Sequence, residues 1–213
     1  MLAEKIYADS WEADARLVPF RITRAELIEV AKKTVAERSN TIDVDIAGAA
    51  GTLAYLHGSR HLRLLAMSKG YQLSREKNIE ASIDVKSGIM IAYQNVDVAC
   101  SKFRSPKAIH GKKSGSADII DRAQGSLFAP DAIPEMVDLK SLRELNSTVW
   151  YFCVSFTEDS FSAELSLPTS LRGDNFNGFF ERIFIAQGQE WFGKPAETTD
   201  DDYAELEPRI MRK

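Results

Sequence analysis

The chain has 213 residues, 44% of them hydrophobic and 27% charged, with a net charge of −4 at pH 7. This composition excludes a wholly disordered chain, and the length suits one domain, or at most two small ones, with a full apolar core. The acidic start, MLAEKIYADSWEADAR, lacks the basic and apolar regions of a signal peptide, and the longest apolar run, 149–154, is too short to span a bilayer.

No membrane association is therefore expected. Cys100 and Cys153 lie outside any Cys-x-x-Cys spacing. Reduced thiols and a cytoplasmic location are expected, with neither a disulfide framework nor a zinc ribbon.

Residues 1–16 show no period, and 17–22 reads as a short strand. Thr23 and Glu26 have the spacing of a capping box, and Leu27, Ile28, Ala31 and Val35 continue on one face, which predicts a helix to Arg38. Ile42, Val44 and Ile46 alternate with Asp43 and Asp45, the pattern of a strand over 41–47 with one wet face. Two helical pieces are expected over 52–57 and 59–69, with Gly70 as terminator.

Ile79 to Val85 alternates cleanly, and Lys86-Ser87-Gly88 turns the chain into a return strand over 89–98, which makes a β-hairpin. Residues 101–116 read as a long surface loop, and 117–124 and 134–145 as short helices. The run 148–156 is apolar on both faces, as a central strand requires, and 161–167 alternates as its hairpin partner. Phe176, Phe179, Phe180, Ile183 and Phe184 recur at helical spacing, which predicts a last helix packed on the sheet through that stripe. The chain thus reads as a single α+β domain over 1–195, a mainly antiparallel sheet of two β-hairpins with helices on one face, followed by an acidic tail over 196–213.

Several residues carry candidate chemistry. His57 and His61 stand four apart, on one helical face, but Gly58-Ser59-Arg60 between them offers no third ligand, so solvated histidines and no metal are expected. Asp43 and Asp45 have the spacing of a magnesium-holding pair, and equally that of any strand with a wet face. Ile42-Asp43-Val44, Gly58-Ser59, Arg63, Ala66, Gly70-Tyr71 and Leu73 together resemble a stretch of family X DNA polymerases. The resemblance covers 42–73 alone. Gly58-Ser59 stands too close to Arg63, and the metal-binding Asp-x-Asp of that family has no counterpart in 1–41, so no polymerase activity follows from it.

Asp84-Val85-Lys86 and Asp138-Leu139-Lys140 match half of a restriction-type nuclease site, with Glu80 beside Asp84 as the better pair. Triplets of this kind arise readily by chance, and no catalytic residue is assigned. No nucleotide-binding loop, nucleophile elbow or His-Glu-x-x-His helix is present, and no cofactor is expected.

Charge is unevenly distributed. Arg60, Arg63, Lys69 and Arg75 cluster in one stretch, and Lys102, Arg104, Lys107, Lys112 and Lys113 follow in a segment free of acids. Cations among small residues suit a phosphate backbone, and Phe103 or Tyr71 could stack on bases. The leading expectation is an accessory nucleic-acid-binding protein without catalysis, using Arg60, Arg63, Lys69, Lys102, Arg104, Lys107, Lys112 and Lys113. The alternatives are a metal-dependent nuclease of restriction type, with Asp84 and Glu80, or Asp43 and Asp45, converging on a lysine, and an interaction subunit with a protein partner, exposing apolar surface near Trp150, Trp191 or the Phe stripe.

Overall fold

The computed structural model describes residues 4–75, 79–109, 148–172 and 175–191. The helices expected at 117–124 and 134–145, the Asp138–Lys140 triplet, Lys112, Lys113 and the acidic tail lie outside the described residues.

Thr23 caps a helix as its spacing predicts. Its Oγ1 accepts from the Glu26 N–H, and the Glu26 carboxylate accepts from the Thr23 N–H, which closes the capping box of α2 (Arg24–Ser39). Leu27, Val30, Ala31 and Val35 of α2 are buried.

The segment before it is not the expected strand. A short strand β1 (Lys5–Tyr7) leads into helix α1 (Ser10–Leu17), and Val18–Phe20 forms one 3-10 turn that ends at Arg21, φ 58°. Glu12 in the first turn of α1 and Arg16 in the last complement the helix dipole. Pro19 has no N–H to give to a ladder, so the apolar run 17–22 packs as helix end and turn instead.

The alternating run 41–47 is not a strand either. Ile42, Val44 and Ile46 are 66%, 87% and 82% exposed, and the chain turns there, with the Asp45 carboxylate accepting from the Ile42 N–H. Alternation makes a strand only where a neighbour pairs its backbone, and this connection runs over the surface. The two pieces expected next are one helix, α3 (Ala49–Ser68), with Gly70 in the left-handed conformation just past its end, as predicted. Gly58 lets α3 lie close to the sheet, because a Cβ there would clash with the Tyr93 ring.

Among the described residues, seven strands form one sheet in the order β1-β9-β6-β5-β4-β3-β2. The remaining members are β2 (Gln72–Ser74), β3 (Ala81–Asp84), β4 (Ile89–Asn95), β5 (Thr148–Phe156), β6 (Ser160–Pro168) and β9 (Phe179–Glu190). Residues 171–172 (β7) and 175–176 (β8) make a separate two-stranded ribbon. Both expected hairpins form, as β3–β4 and β5–β6, and the all-apolar β5 is central.

The sheet is mixed, where the sequence led us to expect a mainly antiparallel one. β4 runs parallel to β5 and β1 parallel to β9. Hairpins dictate antiparallel pairing only between strands a turn apart. The long 96–147 connection leaves the relative direction of the two hairpins to tertiary packing.

The predicted Phe-rich helix is the twelve-residue strand β9 and the ribbon before it. Its register against β6 slips between Ala163, which pairs with Ala186, and Glu164, which pairs with Phe184. The extra residue, Ile185, makes a bulge that puts Ile183, Ile185 and Ala186 in one core, and a second slip, between Leu167 and Pro168, passes over Phe180 within the stripe.

Side chains from α1, α2 and α3 meet Ile91, Tyr93, Trp150, Phe152, Val154 and Leu165 on one face of the sheet. Phe176 and Phe179 belong to a second buried cluster on the other face, with Met90, Val149 and Tyr151. Phe176, Phe179 and Phe184 are buried, as expected of the stripe though on different elements, while Phe180 is half-buried. No helix among the described residues is long and apolar enough to cross a membrane.

Candidate functional site

Four of the cations singled out in the sequence are held in ion pairs. Arg63 and Arg75 both reach the Glu80 carboxylate, Lys69 Nζ lies 2.6 Å from Glu26, and Arg104 is 3.0 Å from Asp97. Arg60, Lys102 and Lys107 have no ion pair among the described residues. Exposed pairs of this kind contribute little stability, but each places an acid beside a cation that a phosphate would have to displace.

Asp97 also accepts from the backbone N–H groups of Val98 and Lys107, and Val96 bridges Ala108. The loop between them is thereby pinned at its base, with Phe103, 97% exposed, at its tip between Lys102 and Arg104. Tyr71, the other aromatic considered for stacking, is buried and donates its hydroxyl to the Phe20 carbonyl.

The acidic pairs do not converge on a lysine among the described residues. Asp43 and Asp45 sit in the exposed 41–47 turns, and Glu80 is engaged by its two arginines. Asp84 accepts from the Ser87 hydroxyl and the Lys86 N–H and pairs with Arg21 at 3.0 Å. These partners, the Ser87 hydrogen bond first, hold its carboxyl below the usual range. Because the folded value is the lower one, the stabilisation is present above the unfolded value near pH 4 and is lost as pH falls through the folded value. Asp84→Ala is expected to cost about 1.5–3 kcal/mol at pH 7 and less at pH 3. Urea titrations at the two pH values measure this, and an equal loss at both would show that ionised Asp84 stabilises nothing.

Across the sheet from the helices, Glu164 and Arg182 form a buried, two-pronged ion pair, with Arg182 Nε and Nη2 donating at 2.8 and 2.7 Å. The Ser166 hydroxyl and the Cys100 N–H also donate to Glu164, and Arg182 Nη1 donates to the Ser101 carbonyl. This network fastens 99–101 to the sheet and holds Cys100 at φ 58°. Burial pushes the Cys100 thiol well up, so it is a poor nucleophile and a structural residue.

The surface that stands out lies over α3 and β2. Leu56, Leu64, Met67 and Leu73 are 48–57% exposed, and Tyr55 is 42% exposed. They line an open groove of about 460 Å³ whose rim carries Arg60, Arg63 and Arg75. Residues 56, 60, 63, 64 and 67 make one stripe along α3, while Ala54, Gly58, Leu62 and Ala66 make the buried stripe opposite. Helix α3 therefore has two apolar faces and only one of them meets the core. That excess was the available signal in the sequence, masked by dividing α3 in two.

The exposed apolar surface expected near Trp150, Trp191 or the Phe stripe is not found there. Trp150 is 3% exposed at the centre of the helix-side core, Trp191 packs against that core, and Phe176 and Phe179 are buried. One further cluster joins two helices: Glu37 of α2 with His57 and His61 of α3, each offering a donor atom within 4.8 Å of the others.

Comparison with protein-family models, with curated proteins and with solved structures finds no match.

Proposed function

We propose that this protein is a non-catalytic interaction module that seats an apolar, acid-flanked segment of a partner protein in the groove over α3 and β2. The observation that carries this reading is the second apolar stripe of α3, exposed on a rigid helix and edged by arginines. Large exposed apolar patches mark interaction sites, and methionine adapts to varied partner shapes. The three guanidiniums outweigh the single Glu80 carboxylate, so carboxylates beside the inserted apolar residues complement the rim.

Peptides selected from a random library on the purified chain are expected to carry leucine- or phenylalanine-type anchors next to Asp or Glu. Leu64→Asp is expected to weaken them at least about tenfold, since it replaces a burial of about 1.5–3 kcal/mol with a carboxylate. Selected peptides without acids, or peptides indifferent to Leu64→Asp, would remove the reading.

A second reading, nucleic-acid binding, is favoured by one observation, the exposed Phe103 held between Lys102 and Arg104 on a pinned loop. Fluorescence anisotropy of labelled single- and double-stranded DNA and RNA at two salt concentrations separates the two. Salt-sensitive binding lost in Phe103→Ala and in the paired Lys102→Ala, Lys107→Ala variant selects the loop. Binding that is absent at low salt leaves the groove.

A further inference from the structure

We propose that Glu37, His57 and His61 form a site for a zinc-class divalent ion that joins α2 to α3. The spacing of the histidines alone gives two donors on one turn of α3, with ring centroids 6.3 Å apart and planes 36° from each other. The third donor is absent from the intervening sequence and comes from the neighbouring helix instead: the Glu37 carboxylate faces both imidazoles, and all three donor atoms lie within 4.8 Å of one another.

A second observation concerns His57 Nδ1. This nitrogen is buried and has no hydrogen-bond partner, although it stands 3.4 Å from Glu37 Oε1. Two donors each about 2.1 Å from a tetrahedral zinc ion stand about 3.4 Å apart, so the pair already has the separation of two ligands sharing an ion. Coordination of one ion satisfies the imidazole nitrogen and the carboxylate together.

The electrostatics are mixed. Lys33 and Arg60 lie close enough to His61 to oppose a cation, while Glu37 favours one. Two imidazoles and one carboxylate suit zinc, cobalt or nickel better than calcium or magnesium, which take oxygen donors. Three protein ligands leave a fourth position to water.

The full chain titrated with Co²⁺ alone is expected to develop the visible absorption of a tetrahedral ion at one equivalent, displaced by Zn²⁺, and Zn²⁺ is expected to raise the melting temperature. His61→Ala and Glu37→Gln are each expected to weaken Zn²⁺ at least about 10-fold, since loss of an outer-shell partner alone brings 10–100-fold. Circular dichroism of the metal-free variants checks that both helices persist, and Glu37→Gln preserves shape while removing the anionic donor. Unchanged affinity in Glu37→Gln, binding that survives the double variant His57→Ala, His61→Ala, or no stoichiometric Co²⁺ spectrum overturns the proposal.

Discussion

Glu164→Ala is expected to lower the free energy of unfolding by about 3–5 kcal/mol, because it strands the Arg182 guanidinium without its main partner. Arg182 is 1% exposed in its side chain, and Glu164 is 0% exposed. Among the described residues the guanidinium would keep the Ser101 carbonyl, Glu4, whose carboxylate is 3.7 Å away, and the faces of Phe179 and Phe184. The same substitution removes the acceptor that holds the Cys100 N–H, so 99–101 should loosen together with it. The pair itself need not be stabilising, since removing both charges together is often neutral. A double variant, Glu164→Leu with Arg182→Met, is therefore expected to recover much of the loss. Urea denaturation of the single and double variants measures both. A double variant that costs as much as the Glu164→Leu and Arg182→Met single variants added together would mean that the charges are not coupled.

Trp150→Ala is expected to cost about 3–5 kcal/mol, the range for removing a large aromatic from a packed core. The indole lies edge-on to Phe20, with centroids 5.0 Å apart and planes at 89°, and the Arg16 guanidinium sits 5.3 Å from its ring. It thus clamps α1 and the 3-10 turn onto the central strand. Chemical denaturation gives the cost, and loss of near-ultraviolet dichroism shows whether the 18–20 turn loosens with it. A cost below about 0.5 kcal/mol, the size of an ordinary surface change, would place Trp150 outside the core.

Trp150 also shows where inference from sequence stops. Its strand was legible: nine residues rich in aromatic and β-branched side chains, apolar on both faces, belong in the middle of a sheet. Whether that burial was complete, or left an apolar surface for a partner, depends on what covers each face. The cover comes from Phe20 and Arg16, more than a hundred positions away in the chain.

The candidate groove divides in the same way. Its residues are visible on a helical net of 49–68 as an apolar stripe broken by Arg60 and Arg63. The net cannot say which of two apolar faces of α3 meets the sheet; Gly58 against the Tyr93 ring decides it. The third donor beside His57 and His61 was likewise invisible, because Glu37 lies on a different helix and reaches the histidines only when α2 and α3 pack side by side.

By itself the sequence determined what depends on neighbours within a few residues. The capping box at Thr23, the Gly70 stop, both hairpins and the all-apolar central strand follow from local hydrogen bonds, turn chemistry and side-chain period. Tertiary structure alone decided what depends on distant partners. It gave the two hairpins a parallel seam across a long connection. It turned the Phe stripe into a bulged strand between β1 and β6, and left the alternating 41–47 without a neighbour. Periodicity states which residues share a face, but a strand exists only when another strand accepts its backbone hydrogen bonds, and that acceptance is settled in three dimensions.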